Sequence, residues 1–146
     1  MAKKLIQPKG LFDSRGTYGY SFAVQSDNTV YLAGLVARDA KGNLVGRGDI
    51  EAQVDQIFAN MRVILKEAGG SPKDVVYYTI YTKDIRQYRD DCKRFCDKHF
   101  GKGVYPPATL VQVSSLAPVD ALLEIAAVAV IDKEKKANKG RGRKVA

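Results

Sequence analysis

The chain has 146 residues, a mass of 16.0 kDa, 45% hydrophobic and 27% charged residues, and a formal net charge of +8. Those values predict one domain and exclude a disordered chain, a collagen-like chain and a disulfide-dense mini-protein. They exclude a membrane-spanning helix as well, because the longest nearly apolar stretch, Ala121–Ile131, is far short of the ~20 residues such a helix needs.

The opening Met-Ala-Lys-Lys-Leu-Ile has no apolar run of a secretory signal, and Cys92 and Cys96 are too few for a disulfide framework. A cytoplasmic protein with no membrane association is expected. The charge is uneven. Residues 132–146 hold seven basic and two acidic residues, so the remaining body is close to balanced. The segment reads as a basic, disordered tail behind a single domain at 1–131. Its expected contribution is solubility, with weak, salt-sensitive nucleic-acid binding as a further property.

In chain order, a short first strand is allowed near Lys4–Gln7, followed by strands at 18–24 and 29–36 joined through Ser26-Asp27-Asn28 as a hairpin turn. Gly42, Gly46 and Gly48 punctuate a loop, and Asp49 reads as a helix cap although Arg47-Gly48-Asp49 spells an adhesion tripeptide. Ile50, Val54, Ile57, Phe58, Met61, Ile64, Leu65 and Ala68 then recur at three- and four-residue steps, one face of a helix that Gly69-Gly70 stops. A strand at 75–82 leads to a second helix from about Ile85 to Phe100, capped by Asp84 and followed by Gly101. Strands at 108–115 and 121–131 complete the order β-β-β-α-β-α-β-β, an α+β arrangement with helices on one face of a mixed sheet.

The last strand is mainly apolar on both of its faces. Two helices cover only one side of such a sheet, and large exposed apolar patches are rare on monomers. An oligomer is therefore expected.

Glu124 is the sharpest chemical signal, as the only charge within Ala121–Ile131. A carboxylate among apolar neighbours is costly unless paired, so it is a candidate for a raised pKa and for acid–base or water-positioning chemistry. Pairing with a neighbouring cation is the structural alternative. Cys92, Cys96 and His99 fall at i, i+4 and i+7, yet no fourth ligand stands nearby, and core packing explains them better than a metal. With one histidine and no nucleophile elbow there is no signal for a Ser-His-Asp or Cys-His centre, and no phosphate-cradling glycine motif is present. The eight tyrosines read as sheet fillers rather than stacking platforms.

An ordered set of segments carries a family resemblance: Tyr20-Ser21-Phe22-Ala23-Val24, Val30-Tyr31-Leu32-Ala33-Gly34, and Asp49-Ile50-Glu51-Ala52-Gln53 with Asn60 and Leu65. It continues through Asp74-Val75-Val76, Tyr81-Thr82-Lys83-Asp84, Tyr105-Pro106-Pro107-Ala108-Thr109-Leu110-Val111 and Leu123-Glu124-Ile125-Ala126-Ala127-Val128-Ala129. Over residues 4–131 the chain resembles the RidA/YjgF family, also known as L-PSP-type endoribonucleases. The resemblance implies a chorismate-mutase-like fold and a homotrimer with small-metabolite clefts between subunits. It implies imine and enamine hydrolysis without a cofactor or metal. It places the water-positioning glutamate at Glu124, the pocket tyrosine at Tyr20 and the pocket-bordering glycine at Gly34, with Tyr105, Ala108, Thr109 and Leu110 in the substrate-binding segment.

One departure matters. The family's carboxylate-binding arginine falls on Ala108, which offers nothing like a bidentate guanidinium. The chain thus resembles arginine-lacking branches, and turnover of 2-imino acids is expected to suffer by several powers of ten. Backbone N–H groups near Leu110, Arg15 or Arg38 are the alternative anchors. Three functions remain open: a deaminase-type hydrolase, a small-ligand or partner-binding module, and an RNA-directed endoribonuclease or translation inhibitor.

Overall fold

The computed structural model describes residues 2–134, so the tail expected at 132–146 lies, from residue 135 onward, outside the described residues. The strands are β1 (Lys3–Ile6), β2 (Ala23–Ser26), β3 (Thr29–Leu35), β4 (Val75–Thr82), β5 (Ala108–Gln112) and β6 (Leu123–Val130). They form one mixed sheet in the order β1-β2-β3-β6-β4-β5, antiparallel throughout except for the parallel β4–β5 pair. The helices are α1 (Ser14–Tyr18), α2 (Ile50–Glu67), α3 (Ile85–Arg89) and α4 (Cys92–His99). This is the α+β fold with a helical layer that the sequence predicts. No helix among the described residues is long and apolar enough to cross a membrane.

Helix α2 forms as its periodicity requires. The Asp49 carboxylate accepts the Ala52 N–H at 3.1 Å, and Gly69 takes a left-handed φ of 89° just past the end. Its Val54, Ile57, Phe58, Met61, Ile64 and Leu65 are buried against Leu123, Ile125, Ala127 and Ala129 of β6 and Val30, Leu32 and Leu35 of β3. The hairpin turn falls at Asp27-Asn28, with Asp27 at φ 52°.

Two elements differ from expectation. The strand expected at 18–24 begins only at Ala23, because residues 14–18 form α1. Asp13 caps that helix by accepting the Gly16 N–H at 2.9 Å, and Gly19, at φ 78°, ends it. The helix expected over 85–100 is broken at Asp90-Asp91 into α3 and α4. Aspartate favours caps over helix interiors, and here Asp90 closes one helix while Asp91 opens the next.

Among the described residues, the face of the sheet opposite α2 is left partly open. The strand register aligns Leu5, Val24, Tyr31, Val128 and Tyr77 in one row across β1, β2, β3, β6 and β4. Leu5 is 60% exposed, Tyr31 51% and Tyr77 40%, so this row is apolar and open to solvent in the single chain. Glu124 lies on this same face, four residues before Val128.

On α4 the cysteines and the histidine part company. Cys92 and Cys96 are free thiols packed against the core, and Cys96 Sγ lies 3.1 Å from the Tyr78 hydroxyl. His99 stacks on Phe58 at 4.4 Å and bonds Asp55 and Arg62 at 2.8 and 2.9 Å. Among the described residues, no group of three or more His, Cys, Asp or Glu could hold a metal ion.

Candidate functional site

Glu124 is the second residue of β6, opposite Tyr81 of β4. On its other side the β3–β6 register slips between Leu32 and Leu35, which sets Ala33 and Gly34 beside the carboxylate. A Cβ added to Gly34 would lie 2.7 Å from the Glu124 carboxyl carbon, so the glycine leaves the space that the side chain occupies. Burial holds the carboxyl above its ordinary pKa. Among the described residues the carboxylate takes no hydrogen bond or ion pair, so the cation pairing weighed above as its structural alternative is not found.

Tyr20 reaches the same place from the loop between α1 and β2. Ser14, buried at the start of α1, donates to the Tyr20 carbonyl at 2.7 Å and fixes the backbone there. Burial raises the Tyr20 phenol, Arg38 draws it down, and Glu124 pushes it up. The tyrosine therefore stays protonated as a donor while sensing both charges.

These side chains line a cavity of about 450 Å³ with Tyr18, Gly34, Ala117 and Arg38. Arg38, one of the two side chains among the alternative anchors, is therefore at the cavity. Arg15, the other, is not among its lining residues and donates to Ser21 Oγ at 2.8 Å.

The segment expected to bind substrate divides. Tyr105, Ala108 and Leu110 line a second cavity of about 360 Å³ on the helical side, with Tyr78, Tyr88, Cys92 and Cys96. The Tyr105 hydroxyl donates to Asp97 at 2.7 Å. Thr109 points to the other face and hydrogen-bonds the Tyr77 hydroxyl. Within one chain, then, Tyr20, Gly34 and Glu124 meet, and Tyr105, Ala108, Thr109 and Leu110 do not join them.

Two residues named above only for the resemblance, Gln53 and Asn60, prove to be supports of the site. Gln53 is fully buried on α2. Its amide donates to the Gly46 and Asp120 carbonyls at 3.1 and 3.3 Å, and its oxygen accepts the Leu122 N–H at 2.8 Å. This ties the helix to the turn that leads into β6 just before Glu124. Asn60 donates to the Arg38 carbonyl at 2.9 Å. Both are polar residues bordering an apolar helical face, a signal that reads as surface until the opposing loop is placed.

The site thus offers a carboxylate poised to exchange a proton closer to neutrality, a protonated phenol and a guanidinium around one small cavity. A family model described as Endoribonuclease L-PSP matches residues 14–131. The 3-aminoacrylate deaminase RutC of Acinetobacter baylyi is 33% identical over 129 residues, covering 88% of this chain and 98% of that protein. The 2-iminobutanoate/2-iminopropanoate deaminase of Dermatophagoides farinae is 31% identical over 113 residues, 77% of this chain and 86% of that one. Among solved structures, YyfA of the Rid protein family from Yersinia pestis superposes with a TM-score of 0.79 at 29% identity, covering 89% of this chain and all of that one.

Proposed function

The chain belongs to the RidA/YjgF (endoribonuclease L-PSP) family, and from that premise we propose that it is a hydrolase of small imines or enamines that needs no cofactor. The observation that carries this reading is Glu124: a half-buried, unpaired carboxylate with a raised pKa, packed beside Gly34 and sharing with Tyr20 a cavity of ligand size.

The chemistry balances with the groups present. Water donates a proton to Glu124 as its oxygen bonds to the imine carbon, and the imine nitrogen takes one proton from solvent as the C=N π bond opens. The proton held by Glu124 then passes to the amine, the C–N bond breaks, and the C=O bond forms as the hydroxyl proton returns to solvent, replacing the one taken. One water is consumed and one ammonia released. A carboxyl with a raised pKa is the better suited to both proton transfers, accepting and returning the same proton. Tyr20 remains a hydrogen-bond donor beside the reacting centre.

The working form in this reading is a homotrimer. Its interface would bury the open row of Leu5, Val24, Tyr31, Val128 and Tyr77 and bring the β5 segment of one subunit toward the Glu124 cavity of another. The test is Glu124→Ala in an ammonia-release assay, with oligomeric state measured alongside. Turnover abolished in an intact oligomer is the expected result, and unchanged turnover would refute the reading. Ala108 favours one second reading, in which the cleft holds a small ligand without chemistry. Ligand-dependent thermal stabilisation with no product would identify it.

A further inference from the structure

Arg38 is built in a way that neither the strand pattern nor the family resemblance calls for. Its guanidinium carbon lies 5.2 Å from the Phe12 ring centroid and 5.4 Å from that of Tyr18. Nη1 donates to the Gly42 carbonyl at 2.8 Å. Its backbone is held by Asn60 at the carbonyl and by a bridge to Leu44. Nε is buried and has no hydrogen-bond partner among the described residues.

No carboxylate among the described residues pairs with this guanidinium. The adjacent Asp39 is turned into its own loop, where it accepts the Lys41 and Asn43 N–H groups, each at 2.9 Å. Glu124 lines the same cavity without bonding it. A guanidinium has five donors in a fixed fork, suited to a carboxylate. Two aromatic rings and a carbonyl hold this one still, so ordering it on ligand binding costs little.

We propose that Arg38 is the anion clamp of this cavity and takes the carboxylate of a small anionic substrate, replacing from the same chain the arginine absent at position 108. The assignment rests on the functional reading of the cavity given above, and it narrows the substrate to a compound with a carboxylate close to its C=N carbon. A cavity of about 450 Å³ admits a short aliphatic imino acid. The carboxylate and Glu124 repel, so binding raises the Glu124 pKa further.

The test reads binding, not turnover. 2-Oxobutanoate, a stable keto acid, and butanone, its neutral counterpart, are titrated into the full chain and followed by NMR and calorimetry. The keto acid saturates, butanone does not, and added salt weakens the keto acid. Arg38→Gln weakens keto-acid binding by about tenfold or more, the loss of one charge-assisted pair. The Arg38 Nε–H resonance of the native protein shifts with keto acid alone, a readout that needs no folded variant. Equal affinity in native protein and Arg38→Gln, no shift at Nε–H, or no saturable binding at millimolar concentration would each overturn the clamp. Keto-acid binding through Arg38 without hydrolysis of any imine would leave the clamp standing and remove the hydrolase.

Discussion

Gly34→Ala is expected to impair the proposed chemistry while sparing the fold. Gly34 does not have a positive φ, so alanine fits the backbone without strain. The new methyl would sit 2.7 Å from the Glu124 carboxyl carbon and 3.0 Å from its Cγ. Ordinary contact needs ~3.5–4.0 Å, so the carboxylate must retreat by about 1 Å. It is the far end of a flexible side chain, and its retreat costs about 1 kcal/mol or less, a fall of ~4 °C or less in Tm. A displacement of that size at a proton-transferring group lowers kcat by about 100-fold. Ammonia release, thermal melting and keto-acid affinity, measured on one preparation, separate these effects. The predicted pattern is a large fall in kcat, a small fall in Tm, and keto-acid binding retained through Arg38. A kcat within about threefold of native would refute the reasoning, because it would make the position of the Glu124 carboxylate irrelevant.

Other expectations follow from the same structure. The ionised form of Glu124 is the one that accepts a proton from water, so kcat/KM falls as pH drops through a midpoint above the ordinary glutamate value of about 4.3. With the folded-state pKa raised, ionisation of Glu124 costs stability above that pKa. Glu124→Gln therefore raises Tm at pH 7 by a few degrees, and the gain disappears in acid, as melting curves will show. Tyr31→Asp, on the open face, leaves the single-chain fold intact and shifts light scattering from oligomer to monomer; a native monomer at micromolar concentration would remove the trimer. Burial holds the His99 pKa down, against the bond to Asp55 that raises it. Its contribution to stability is full above about pH 6.5 and lost as pH falls from there toward the lowered value, and His99→Gln flattens that dependence in thermal melts.

Elements with a long repeat were legible in the sequence. Helix α2 has six buried apolar residues on one face, a cap at Asp49 and a stop at Gly69, and local propensity agrees with its packing. Glu124 stood out because one charge in an apolar strand has few structural explanations. Helix α1 did not, because five residues including Gly16 carry no periodicity, and the aromatic run at Tyr18–Phe22 imitates a strand. The break at Asp90-Asp91 was hidden because the apolar face continues in phase from Tyr88 to Phe95. The cavity itself depends on the register slip between Leu32 and Leu35 and on the loop that returns Arg38 over Phe12 and Tyr18. Both are tertiary events. A lone arginine in a loop therefore looked no different from Arg15.

The most direct measurement is ammonia release from freshly generated 2-iminobutanoate and 3-aminoacrylate by the native chain, set against the uncatalysed rate in the same buffer. Acceleration at catalytic protein concentration, lost in Glu124→Gln with the oligomer intact, is the predicted result. Hydrolysis at the buffer rate for every imine and enamine offered would contradict the account and leave a cleft that binds without reacting.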